Sequence, residues 1–235
     1  MITVSEMREI ILDTETTGLD PASGHRLVEI ACVEVLNLVP TGRFFHSYID
    51  PKRDVPEEAF RVHGLSAEFL AGKPLFGDIC QEFLDFAEDS RFVIHNAEFD
   101  MKFINHELQR IHRPTLSMDR VFDTLAFARK KHPGASNSLD ALCTRYRIDN
   151  SKRSKHGALL DAEILAELYT ELMGGRQTAL VLSTQTKKVA KASVQTVSPR
   201  STPLEPRLGQ DEAVAHDKFR VTLGDAPLWK HYIAE

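Results

Sequence analysis

The chain has 235 residues and a mass of 26.5 kDa, enough for one ordinary to large domain or for one domain with a tail. With 42% hydrophobic and 27% charged residues it has the make-up of a globular protein. The net charge of −5 and pI near 6.1 exclude a uniformly basic, nucleic-acid-coating protein. The charge is unevenly spread. Residues 1–175 hold 20 Lys+Arg against 28 Asp+Glu, residues 176–210 hold 6 against 1, and residues 211–235 hold 3 against 5. An acidic body is thus followed by a basic connecting segment. Cys32, Cys80 and Cys143 are odd in number, far apart and without CxxC spacing, which argues against a disulfide framework or a structural zinc site. No leader and no long apolar run is evident, so a reducing, cytoplasmic location without membrane contact is expected.

The apolar, β-branched run at 8–12 predicts a central strand. Runs at 27–36 and 43–50 predict two more, and the short connections suggest an antiparallel start to the sheet. Residues 56–70 read as short helices broken at Gly64, with Pro56 at a first helical position and Ser66 as a later N-cap. Residues 77–89 predict an amphipathic helix carrying Ile79, Phe83 and Phe86 on one face. A strand at 91–95, a helix at 97–111, a strand running into a helix over 119–131, and helices at 137–147 and 157–173 follow. Gly174-Gly175 stops the last one. Strands followed by alternating strands and helices indicate an α/β domain with a mixed sheet.

Beyond Gly175 the composition changes. Residues 183–210 are rich in Ser, Thr, Gln, Pro and Lys and lack aromatic residues, as expected of a flexible linker. Residues 211–235 regain apolar side chains, including the only Trp, yet are too few to form a core of their own. They predict a segment that packs back on the body or docks on a partner, and the intervening linker favours the partner.

The chemistry-bearing residues recur at element ends. Asp13 and Glu15 follow the first strand at i and i+2, so they project from one face. Two adjacent carboxylates repel unless a cation lies between them, and Mg²⁺ or Mn²⁺ suits such oxygen donors. Asp100 falls in the first turn of the helix that begins near Ala97. Asp161 interrupts an apolar helix face formed by Leu160, Ile164, Leu165 and Leu168. His156 lies in the approach loop, and its residue type suits general-base work near neutral pH. Four acids from three element ends plus one histidine make up the equipment for metal-assisted hydrolysis of a phosphodiester.

The strings DTETTGL at 13–19, HNAEFD at 95–100 and HGALLDA at 156–162 resemble the three exonuclease motifs of the DEDDh superfamily. Together with VHGLS at 62–66 and NSLDALCTRYRIDNSKR at 137–153 they resemble most closely the DnaQ family, the epsilon proofreading subunits of bacterial DNA polymerase III. The likeness runs closely over about the first 175 residues. It implies an RNase H-like mixed β-sheet flanked by helices and a 3′–5′ exonuclease domain over 1–175. It also implies two divalent cations. Asp13, Glu15 and Asp161 would hold the first, and Asp13 and Asp100 would serve the second. His156 would deprotonate the attacking water. Thr16, Gly18 and Leu19 would contact the 3′-terminal nucleotide, Leu19 and His63 would wedge or stack against terminal bases, and Asn96 and Phe99 would line the pocket. The product would be a nucleoside 5′-monophosphate from a DNA 3′ end.

Residues 176–182 resemble the short peptide by which replication proteins bind the beta sliding clamp. Gln177 would set the register, and Leu180 and Leu182 would fill an apolar pocket. A linker of this length has an r.m.s. span of roughly 30 Å, which suits a tethered domain. Residues 211–235 would then anchor to the polymerase III catalytic (alpha) subunit, with Phe219, Leu228 and Trp229 as candidate hot spots. A small accessory (theta-like) subunit on the body is left open. Two rival readings share the motifs or the tail. One is a related enzyme that trims RNA 3′ ends, which has no use for such a tail. The other is a non-catalytic scaffold, which has no need of five intact acid and histidine positions.

Overall fold

The computed structural model describes residues 7–151, 153, 155–174 and 209–222. The chain divides into two units, Met1–Val181 and Leu182–Glu235. In the first, β1 (Arg8–Thr16), β2 (Leu27–Leu36) and β3 (Val39–Tyr48) pair antiparallel in succession. Helices α1 (Glu57–His63), α2 (Ala67–Leu70) and α3 (Phe76–Ala87) follow. The chain then adds β4 (Arg91–Ile94), α4 (Ala97–Arg110), β5 (Val121–Asp123), α5 (Thr124–Lys131), α6 (Leu139–Tyr146) and α7 (Ala158–Leu172). The sheet order is β3-β2-β1-β4-β5, with β1, β4 and β5 parallel. This is the mixed sheet the sequence predicts.

Local chemistry explains most boundaries. Gly64 stops α1 at φ +74°, a backbone conformation that suits glycine. Ser66 caps α2 by accepting from Phe69 N at 3.1 Å, and Asp123 caps α5 by accepting from Leu125 N at 2.8 Å. Pro56 sits one position earlier than expected, at the N-cap of α1.

Two strands run differently from their sequence pattern. β1 continues past its apolar run to Thr16, because Asp13–Thr16 still pair with β2. β3 starts at Val39, ahead of the expected residue 43. Asn37 and Leu38, both at positive φ, form a tight connection that returns the chain directly, as in two-residue hairpins. Pro40 and Gly42 therefore lie inside β3. They are tolerated because β3 is an edge strand whose register shifts opposite Glu34.

The period-two alternation of β1 divides the core. Ile10 and Leu12 join Phe83, Phe92, Phe103 and Ile104 on the α3/α4 face. Ile11 joins Leu142, Leu165, Leu168 and Tyr169 on the α6/α7 face. Cys32, Cys80 and Cys143 are free and buried, as expected of small apolar residues. Among the described residues no helix is long and apolar enough to cross a membrane.

The second unit contributes one described helix, α8 (Gln210–Thr222), exposed along nearly all its length, including Phe219. Its first residue coincides with the end of the expected linker, 183–210. Nearly all of that linker, the peptide residues Gln177, Leu180 and Leu182, and the anchor residues Leu228 and Trp229 lie outside the described residues.

At the start of β1, Glu9 is fully buried. It accepts hydrogen bonds from Arg91 Nε at 2.8 Å, from Arg91 Nη2, and from the Tyr169 hydroxyl at 2.9 Å. This trio ties β1, β4 and α7 together. Removing the cation strands a buried carboxylate, so Arg91→Ala should lower stability by about 3 kcal/mol. Tyr169→Phe should cost only about 1 kcal/mol. Urea unfolding of the two variants checks this, and equal losses would contradict it.

Candidate active site

The carboxylates gather at the C-terminal ends of the parallel strands β1 and β4, where open α/β sheets place their ligands. Asp13 and Glu15 share the face of Ile11 and so point toward α7. Asp161 comes from the first turn of α7 and is buried among the residues of that face. Thr14 points the other way, and its hydroxyl donates to Asp100 Oδ1 at 2.6 Å, which fixes the first-turn acid of α4. One β-strand thus addresses acids on both sides of the sheet. Asn96 begins α4 in a left-handed conformation (φ +70°) that turns the chain sharply from β4 into the helix.

All these acids line one cleft of about 1260 Å³. Ligand atoms of Glu15, Asp161 and His156 come within 4.8 Å of one another, a spacing able to hold a metal ion. The charges are poorly compensated. Burial first, then Asp100, Glu15 and Asp161, push the Asp13 carboxyl well above its ordinary value. Burial, then Asp161, Glu29 and Asp100, push Glu15 up to about 8. Burial pushes Asp100 up to about 7 against the hydrogen bond from Thr14. A donor set of oxygens that resists ionisation without a cation fits a hard divalent ion.

Asp161 is the exception. Burial raises its pKa, but the hydrogen bonds and charge of the Arg153 guanidinium help hold it below the ordinary value. Arg153 donates to both its oxygens, at 2.6 and 2.7 Å. His156 keeps a half-exposed ring, with Nδ1 3.4 Å from Asp161 Oδ2. Its backbone N–H donates to Val62 O at 3.1 Å, pinning the approach loop to α1.

The remaining predicted residues surround the same cleft. Leu19 stands on the rim, 83% exposed, whereas His63 is buried at the end of α1 with Nδ1 accepting from Leu65 N at 3.0 Å. Thr16 donates to Gly18 O at 2.6 Å. A Cβ on Gly18 would lie 2.4 Å from the His25 ring, so only glycine lets that ring close over the turn. Asn96 is exposed and Phe99 half-buried on the cleft wall.

Sequence reasoning gave no role to Arg153, Thr14, His25 or Glu29. Thr14 alone carried a signal, as the strand residue whose face opposes Asp13 and Glu15. Glu29, buried on β2, accepts from Ala158 N at 3.2 Å and pairs with His46 Nε2 at 2.7 Å, which sets the start of α7 against the sheet.

A carboxyl whose folded pKa is raised favours the folded state while it keeps its proton. That stability is complete below the ordinary values of 3.8 for Asp100 and 4.5 for Glu15, and is lost as pH rises through about 7 and about 8. In EDTA the melting temperature should therefore fall between pH 5 and pH 8, and saturating Mg²⁺ should flatten the decline. Calorimetry at both pH values, with and without the ion, checks this.

The family model described as Exonuclease (RNase T) matches residues 10–169. The DNA polymerase III subunit epsilon of Rickettsia conorii is 58% identical over 179 residues, spanning 75% of this chain and 78% of that one. The Escherichia coli protein of the same name is 43% identical over 236 residues, spanning 95% and 97%. Exonuclease X, solved in complex with 5′ overhanging duplex DNA, superposes with a TM-score of 0.56 at 25% identity, covering 71% of this chain and 91% of that one. The nuclease domain of 3′hExo, a DEDDh member solved with rAMP, shares the fold at a TM-score of 0.63 and 15% identity, over 73% and 94%. A cleft of four acids and a histidine, on a sheet and a sequence shared so extensively, leads to one assignment: the chain belongs to the exonuclease family and, within it, to the DNA polymerase III epsilon subunits.

Proposed function

We propose that the protein is the 3′–5′ proofreading exonuclease of the replicative DNA polymerase III, removing mispaired 3′-terminal nucleotides as 5′-monophosphates. The observation that carries this reading is the convergence of Asp13, Glu15, Asp100, Asp161 and His156 on one cleft. Enzymes of this family depend on divalent metal. Asp13, Glu15 and Asp161 are the residues suited to hold one Mg²⁺ or Mn²⁺, and Asp13 with Asp100 a second. Bound there, the two ions would acidify the attacking water and neutralise charge on the leaving oxygen.

The chain's own residues do the rest. The His156 imidazole is the base for the proton of the attacking water, and its half-exposed ring borders the cleft. Thr14 fixes the Asp100 carboxylate in place through its hydroxyl. Thr16, Gly18 and Leu19 receive the terminal nucleotide, with the exposed Leu19 side chain placed to stack on or wedge beside a base. His63, Asn96 and Phe99 complete the walls.

Selectivity for mispaired ends then needs little reading of the bases. A mispaired terminus frays at lower cost and enters a single-strand pocket more often than a paired one. The negative charge of the body suits this arrangement, because cations held in the carboxylate cluster turn it into a phosphate receptor.

In the layout that accompanies this reading, residues 1–175 are the exonuclease domain. Residues 176–182 contact the beta sliding clamp, 183–210 form a tether, and 211–235 anchor to the polymerase alpha subunit. Likeness to epsilon subunits along 95% of the chain supports this division.

With Mg²⁺, the purified protein should shorten 3′-labelled DNA to 5′-monophosphates. Asp13→Ala should abolish the activity and His156→Ala should reduce it by about 10²-fold or more. Failure of the wild type to digest DNA, or faster digestion of RNA, would overturn the reading. Deleting 211–235 should leave digestion of free DNA intact while co-purification with the polymerase is lost, and retained co-purification would refute the anchor.

A further inference from the structure

The cleft contains a cation of its own. The Arg153 guanidinium grips Asp161 with Nε and Nη2 at 2.6 and 2.7 Å. The same Nη2 lies 2.8 Å from His156 Nδ1. Arginine can only donate, so this contact identifies Nδ1 as the acceptor and puts the ring proton on Nε2. Arg153 therefore occupies two of the three groups, Glu15, Asp161 and His156, whose ligand atoms converge within 4.8 Å. Its side chain is only 7% exposed, so the grip is formed largely out of water.

We propose that Arg153 is a built-in counter-cation that competes with the divalent ion for Asp161, and that its displacement opens the metal site and frees the Nδ1 lone pair of His156 in one movement. This rests on the reading of Asp161 as a metal ligand.

Three features support it. An arginine cannot release a carboxylate by losing its proton, so it must move for Asp161 to take another cation. A second acid offers it a holding place: Nη1 already donates to Asp140 Oδ1 at 2.7 Å, and Asp140 is largely exposed on the cleft wall. Asn150 in turn donates to the same oxygen at 3.1 Å, which steadies Asp140 in that position. Finally, Arg153 itself lies in no helix or strand, at a position between α6 and α7, so its side chain can be withdrawn without breaking either helix or the sheet. Arg153 thereby acts as a positioning residue. It keeps Asp161 ionised and His156 oriented while no ion is present, and it lowers the apparent affinity for the ion.

The sign of the effect separates this role from a merely structural one. In the full-length protein stripped with EDTA, Arg153→Gln should lower the melting temperature while tightening Mn²⁺ binding about tenfold, as read by titration calorimetry or by loss of the free Mn²⁺ electron paramagnetic signal. Arg153→Lys, which keeps the charge but loses the fork, should fall between the two. Asp161→Asn should weaken Mn²⁺ binding.

Unchanged or weaker Mn²⁺ binding in folded Arg153→Gln, with Asp161→Asn impaired, would overturn the role of Arg153 and leave the metal reading intact. Wild-type Mn²⁺ affinity in Asp161→Asn would overturn both. A measurement on the wild type guards against a variant that does not fold: the Arg153 Nε–H resonance should shift as Mg²⁺ is added and saturate with the binding isotherm. A resonance that stays fixed through saturation would refute displacement.

Discussion

Like charges held together in a poorly solvated cleft are the constraint around which this domain is arranged. Asp13, Glu15, Asp100 and Asp161 lie at the end of β1 and the starts of α4 and α7, where burial and nearby like charges resist the ionisation of the first three. The fold tolerates them because it fixes their backbones elsewhere. β1 is hydrogen-bonded on both sides, to β2 and β4, and the buried Glu9–Arg91–Tyr169 trio locks its other end. The strand is stabilised at its beginning and loaded with unfavourable charge at its end. Separating the two in this way lets a binding site be poised for cations without loosening the sheet.

The two-faced character of β1 gives the site its geometry. Alternation sends Asp13 and Glu15 toward α7 and Thr14 toward α4, so acids from opposite faces of the sheet meet at the C-terminal ends of its central strands. Had the acids been spaced three or four residues apart on one helix they would have formed a linear row on one face. Distributed over a strand end and two helix starts, they enclose a volume in which a phosphodiester and its ions can sit. The helix starts add partial positive charge beside Asp100 and Asp161, in the sense that favours their ionised forms.

The contrast among the acids sharpens the electrostatic picture. Three carry raised pKa values and one a lowered value, and the difference follows the position of Arg153. The cleft is divided into a side already supplied with a cation and a side without one. That asymmetry of charge follows from a single side chain, Arg153. The acidity of the body, at first sight unsuited to nucleic acid, is in part this unneutralised cleft.

Much of the fold was legible in the chain. Apolar periodicity located β2, α3, α4 and α7 within about two residues, because burial of one face imposes a period that survives in the residue order. It failed where pairing rather than burial sets an element. β1 runs on through the polar residues Asp13–Thr16 because β2 supplies partners, and β3 runs through Pro40 and Gly42 because an edge strand can spare their hydrogen bonds. The acids and His156 were legible too, as residue types out of keeping with their surroundings at element ends, and the motif strings joined them. The balance of their charges was not legible in this way. Arg153, Glu29 and Thr14 act through contacts spanning 8, 129 and 86 positions of sequence, and no local pattern records such pairs. Which groups can do chemistry is written in the residue order, because that depends on residue type and local spacing. The folded chain determined which of them are charged, oriented and free, because that depends on neighbours that only folding brings together.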